Sequence, residues 1–299
     1  MGAAFSVIEN NHIYNIWSKR QFSGAEIAGI KFHAAIDARI IGNHIHDCGR
    51  GFWFDWMTQG TRISGNLMYN NDLEDLFLEV NHGPFLVDNN ILLSPSSIKT
   101  QSEGGAFVHN LVAGSVHMWP EPNRFTPYFL PHSTDVAGLS TVYSGDDRFY
   151  NNIFCGPAFK PARESIYKYG LEIYNSARLP VFVNNNVYYS GAKPYITEKN
   201  KIELAGHNPD IQLIEKGDEV YLSFTPDPGL NNMQADIITS EYLGKAKVPN
   251  AFFENPDGTR LVISRDYSGD ERTGDKTNAG PFADPGNERI TIKVWPKAR

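Results

Sequence analysis

The 299-residue chain has only two cysteines, Cys48 and Cys155, so neither a disulfide framework nor a multi-cysteine zinc site is available. Both read as small buried fillers, and a reducing compartment is the default. An excess of basic residues is also missing. Lys and Arg number 27 against 34 Asp and Glu, a net charge of -7, and such a surface does not suit a phosphate backbone. Nucleic acid is therefore not an expected partner. No apolar run approaches a membrane span, and the opening MGAAFSVIENNHIYN has neither a basic n-region nor a long apolar h-region. The chain reads as soluble and cytoplasmic, with no membrane partner. Heptads and long helical stripes are absent too, which leaves a turn-rich, all-β protein as the expected class.

What the sequence does contain is a repeat: an apolar residue, two spacers, an Asn and another apolar residue. Copies end at Leu67, Ile91, Leu111, Ile153 and Val187, with asparagines at Asn66, Asn90, Asn110, Asn152 and Asn186. Looser copies end at Ile13 and Ile45. The Asn spacings of 24, 20, 42 and 34 correspond to one coil, one coil, two coils, and one coil plus an insertion. Runs such as RISGNLMY and FLVDNNILL are too short for helices, and each can lay one strand on a growing parallel sheet. Stacked Asn side chains can then hydrogen-bond from coil to coil. Parallel crossovers are right-handed, so the expected fold is a right-handed parallel β-helix, a solenoid. A leucine-rich repeat has a similar period but needs a Leu-dense consensus that is not present. Insertions from His117 (HMWPEPNRFTPYFLPHST) and from Lys160 interrupt the period, and such loops are where substrate contacts concentrate. The expected division is residues 1–210 as coils carrying the site and 211–299 as a β-rich segment packed on them.

Two segments, GFWFDWMTQGTRISGN and DLFLEVNHGPFLVDNN, occupy the same phase of consecutive coils. Asn66 follows Asp55 by 11 residues and Asn90 follows Glu79 by 11, so the two carboxylates should sit side by side. Neighbouring strands lie about 4.8 Å apart. That matches the roughly 5–5.5 Å carboxyl separation of retaining glycosidases rather than the roughly 6.5–9.5 Å of inverting ones. Like charges so close should raise one carboxyl's pKa, giving a proton donor beside an ionised nucleophile. The same offset adds His33 to the row. Trp53 and Trp56 bracket Asp55 and can stack on sugar faces, while Asn81 and His82 can bond sugar hydroxyls. Trp119, in the first insertion, is a further candidate contact. Glu74 and Asp75 read as solvated turn acids, and Asp37 is open between a site and a turn role. His44 and His46 share one strand face but show no evident third ligand, so a structural role is expected. The stretch from Asp266 lacks the spacing of an EF-hand. No metal is expected.

The motifs GAEIAGIKFHAAID, GFWFDWMTQGTR and LFLEVNHGPFLVDNNILLS resemble glycoside hydrolase family 120, β-xylosidases built on a right-handed β-helix. The resemblance runs through most of the chain. It implies Asp55 as nucleophile, Glu79 as general acid/base and Glu26 as a sugar-binding carboxylate. The implied reaction is release of xylose, with retention, from the non-reducing end of short β-1,4-xylo-oligosaccharides, and no cofactor is called for. Members of the family are about twice as long, with N-terminal coils and a β-sandwich. The chain is similar to their C-terminal half, so an absent N-terminal half or a homo-oligomer is an expected partner. Two other classes stay open: a β-helix polysaccharide lyase, which would need a Lys/Arg cluster over the acids that the sequence does not display, and a non-catalytic carbohydrate-binding coil stack.

Overall fold

A computed structural model describes residues 4–21, 23, 25–159, 168–272 and 276–297. Of the insertion beginning at Lys160, residues 160–167 lie outside the described residues. The chain visits three parallel sheets in rotation, one short strand at a time. The first sheet runs from Val7–Glu9 through Arg39–Ile41, Arg62–Ser64, Phe85–Asp88, Gly105–Val108 and Arg148–Tyr150 to Phe182–Asn184. A second sheet starts at His12–Tyr14, continues with His44–His46 and Leu67–Tyr69, and ends at Lys201–Leu204. The third has five strands: Ile30–His33, Phe52–Asp55, Leu76–Glu79, Ser96–Gln101 and Ser115–Met118.

Alternation along each strand decides which side chains point into the stack. Ile63, Val87 and Phe107 from the first sheet, Met68, Leu92 and Val112 from the second, and Phe52, Phe54, Leu76 and Leu78 from the third meet in one buried core. Between the first and second sheets runs an asparagine ladder. Asn43 donates to Asn66 (3.1 Å), Asn66 to Asn90 (2.9 Å), Asn90 to Asn110 (3.0 Å), Asn110 to Asn152 (2.9 Å) and Asn152 to Asn186 (2.9 Å). Glu198 closes it, accepting from Asn186 at 2.8 Å, a member that an Asn-based pattern does not reveal. The residue before each of these asparagines is left-handed, as at Gly42 (φ 62°) and Gly65 (φ 61°). This tight turn is what brings the amides into line.

The remainder of the chain covers two of the three outer faces. A three-stranded antiparallel sheet, Gln212–Lys216, Glu219–Phe224 and Ile290–Trp295, packs Leu222, Phe224 and Val294 against Leu67, Ile91 and Leu111 of the second sheet. Residues Ile238, Leu243, Phe253 and Ile263 cover Leu86, Ala106 and Val108 of the first. The third sheet's outer face receives neither. Its partner is a hairpin inserted after Met118, Glu121–Phe129 paired antiparallel with Val136–Val142, so the spacing of 42 from Asn110 to Asn152 is one coil plus this insertion and not two coils. Gln59 holds this hairpin by a reciprocal pair of hydrogen bonds with the Phe129 backbone (2.9 and 3.0 Å). No helix among the described residues is long and apolar enough to cross a membrane.

Two expectations about acids are corrected. Glu74 and Asp75 are buried, not solvated. Coils stack above and below their turn, so Glu74 pairs with Arg50 (2.8 Å). Asp75 accepts from Asn71 Nδ2 (2.8 Å) and from the Ser94 amide (2.9 Å).

Candidate active site

The site is a row on the outer face of the third sheet. Parallel pairing sets Ile30–His33 against Phe52–Asp55 and the latter against Leu76–Glu79, with His33 opposite Asp55 and Asp55 opposite Glu79. One pleat earlier on the same face stand Lys31, Trp53, Phe77 and Lys99, again in register. Phe52 and Phe54 point inward and anchor the strand, which leaves Asp55 facing the hairpin and only 4% exposed.

Asp55 Oδ2 is held by Lys31 Nζ at 2.9 Å and by His33 Nε2 at 3.0 Å. Its Oδ1 is buried with no hydrogen-bond partner among the described residues, 3.8 Å from the Arg124 guanidinium. Glu79 is held differently: Trp53 Nε1 donates to Oε2 at 2.8 Å and Arg124 Nη1 donates to Oε1 at 2.9 Å. Arg124, on the hairpin, therefore bridges the two acids. Glu26 lies at the rim, paired with Lys31 and 3.7 Å from His33 Nε2.

Lys31 and Arg124 were not singled out by sequence reasoning, and the expectation that no basic cluster overlies the acids is overturned. Lys31 had a readable signal, since it lies two residues before His33 and so on the same strand face. Arg124 had none beyond its place in an insertion, because only folding lays the hairpin over the acids. These cations also oppose the like-charge repulsion expected between the two carboxylates.

Other predicted contacts are redistributed. Trp53 is buried, with Lys31 Nζ 3.6 Å from its ring centroid, so it positions Glu79 and has little face to offer a sugar. Trp56 adjoins the row, its ring 5.4 Å from the Arg124 guanidinium carbon. Asn81 does not face the acids. It accepts from the Thr58 amide at 2.7 Å and donates to Phe54 O at 3.0 Å, a turn-to-turn link like those of the main ladder. His82 is likewise committed, to Glu103 (2.9 Å) and to the Ser140 carbonyl on the hairpin (3.2 Å). Trp119 follows the fifth strand of the sheet and stays 38% exposed, with Lys99 Nζ 5.2 Å from its ring centroid.

Ligand atoms of Glu26, His33 and Asp55 lie within 4.8 Å of one another, close enough to gather round a cation. Lys31 bonds to both acids and already supplies positive charge there. A separate cavity of about 520 Å³ is lined by Asp37, Arg62, Phe85, His132 and Glu254. Its acids are tied to one imidazole: both Asp37 oxygens lie 3.1 Å from His132 Nδ1, and Glu254 lies 3.4 Å from Nε2. Burial raises the Asp37 carboxyl above its ordinary range. This set fastens the hairpin to the coils.

No protein-family model and no curated protein matches the chain. Among solved structures, one described as the complex of XylC with xylose superposes with a TM-score of 0.91 at 43% sequence identity. The match covers 98% of this chain and 48% of that one, so the chain spans about half the length of the protein it resembles, and this half shares its fold.

Proposed function

We propose that the chain carries the carboxylate pair of a retaining glycosidase that releases xylose from the non-reducing end of short β-1,4-xylo-oligosaccharides. The observation that carries this reading is the register of Asp55 opposite Glu79 on adjacent parallel strands. Such neighbours sit about 5 Å apart, the spacing at which a nucleophile reaches the anomeric carbon directly, with no water between. Likeness to a xylose-bound structure favours a pentose substrate.

Asp55 is the nucleophile in this proposal. Lys31 and His33 fix one of its oxygens and leave Oδ1 unbonded for attack on the anomeric carbon. Glu79 protonates the departing glycosidic oxygen, and the bond from Asp55 to the sugar forms as that bond breaks. Glu79 then takes a proton from water, which attacks the same carbon and frees Asp55. Both Glu79 oxygens accept hydrogen bonds in the resting site, so Arg124 must withdraw before Glu79 can present a proton to substrate. Its side chain is 38% exposed, on a hairpin, which suits such a movement. Glu26 and His33, at the open end of the row, are the proposed contacts to the sugar hydroxyls, with Trp56 and Trp119 as outer contacts. The coil stack is proposed to be a right-handed β-helix over residues 1–210, with 211–299 as a segment packed on it. Chirality of parallel crossovers favours that hand.

Lys31 and Arg124 over the acids lend support to a second reading, a lyase that abstracts a proton from a uronic acid. Proton NMR of p-nitrophenyl β-xyloside turnover tests both. β-Xylose released first, with an α-xylosyl azide formed by Asp55→Ala in azide, is the expected result. α-Xylose released first would sink the proposal, and an unsaturated uronate from a uronan would establish the lyase.

A further inference from the structure

A second cluster of ligating side chains lies on the outer face of the second sheet, at the edge of its contact with the C-terminal sheet. His44 and His46 share one strand face, and pairing of His12–Tyr14 with His44–His46 sets His12 directly opposite His44. This third histidine was missed in the sequence although equal phase gave a signal for it: His12 stands one residue before Ile13 as His44 stands one before Ile45. The three rings stack, with centroids 4.5 Å apart for His12 and His44, 4.6 Å for His44 and His46, and 5.0 Å for His12 and His46. One ring nitrogen from each lies within 4.8 Å of the others.

Surrounding acceptors set the tautomers of His44 and His46. His46 Nδ1–H donates to the Asp47 carboxylate, so His46 Nε2 accepts from His12 Nε2–H at 2.8 Å, and His12 carries its proton on Nδ1 instead once Nε2 ligates. Tyr69 donates its hydroxyl to Glu215 at 2.9 Å and so accepts from His44 Nε2 at 3.0 Å. His44 Nδ1 is then unprotonated, buried and without a hydrogen-bond partner among the described residues. A carboxylate behind a ligating imidazole is the usual support of a metal-bound histidine. Trp295, 5.2 Å from His44 and 5.9 Å from His12, walls the apolar side, while exposed His12 leaves a path from solvent.

We propose that His12, His44 and His46 bind a borderline divalent transition-metal ion, Zn²⁺ or a first-row neighbour, through three imidazole nitrogens with a fourth position open to solvent. Imidazole donors suit Zn, Cu and Ni, whereas Ca²⁺ and Mg²⁺ demand oxygen. Closing round an ion at about 2.0–2.1 Å per nitrogen requires His12 and His46 to part slightly from their present contact. Exposed His12, on the first strand of its sheet, has the freedom to do so.

The test is titration of the metal-free chain with Co²⁺, read by its visible ligand-field absorption, followed by displacement with Zn²⁺ and calorimetry. The expected result is one equivalent bound with a tetrahedral spectrum, weakened at least about tenfold in His12→Ala and in His46→Ala and unchanged in His33→Ala. His12 is exposed, so its loss leaves the fold intact. Absence of binding, or binding insensitive to His12→Ala and His46→Ala, would overturn the proposal and leave a hydrogen-bonded ring stack. Binding lost in His33→Ala would overturn it equally, by moving the ion to the Glu26–His33–Asp55 set.

Discussion

At the scale of single residues, the same acid chemistry takes different forms according to what burial supplies. Asp55 and Glu79 are surrounded by donors that fix their direction, whereas Asp75, just ahead of the Glu79 strand, is fully buried and has no cation partner among the described residues. Burial pushes the Asp75 carboxyl up from 3.8 to about 6, against the pull of its bonds from Asn71 and Ser94. A raised carboxyl stabilises the fold in its protonated form. That contribution is complete below about pH 4 and is lost as pH rises through about 6. The span of about two pKa units corresponds to on the order of 2–3 kcal/mol. Asp75→Asn stays neutral throughout, so the melting temperature of the wild type relative to this variant should fall between about pH 4 and pH 7. Parallel thermal melts across that range check this, and a constant difference would refute it.

At the scale of elements, the asparagine ladder holds successive coils in register. Asn90 accepts from the Asn66 amide and side chain and donates to Ile63 O and to Asn110. Asn90→Ala strands several buried partners at about 1–3 kcal/mol each, so a loss of about 3 kcal/mol or more is expected in chemical denaturation. Asn11, at the exposed first coil, bonds chiefly to Asn43, and Asn11→Ala should cost about 1 kcal/mol. The ladder was legible in the sequence because each coil repeats one residue at one position. Glu198 was not, since it satisfies the last amide with a different side chain. Asn81 shows the converse difficulty: the sequence offers a polar residue beside an acid, and only its turn geometry commits it to Thr58 and Phe54.

At the scale of the whole molecule, position follows from coverage. The C-terminal segments seal the outer faces of the first and second sheets, and the third is left to a hairpin that brings one arginine to two acids. Leu222 is fully buried between the C-terminal sheet and the second sheet. Leu222→Ala should cost about 2–5 kcal/mol through the cavity left behind. Urea unfolding followed by Trp fluorescence measures it.

Sequence by itself determined what repeats: strand alternation, the Asn at each turn, and the equal offset that puts Asp55 and Glu79 at one phase of successive coils. These are local or periodic, and parallel pairing carries a period directly into space. Tertiary structure alone decided what meets without a period. Arg124 reached the acids because that contact depends on how an insertion folds back, and Trp53 turned from a sugar platform to a donor for Glu79 because the side chains packed around it, not the period, set its direction.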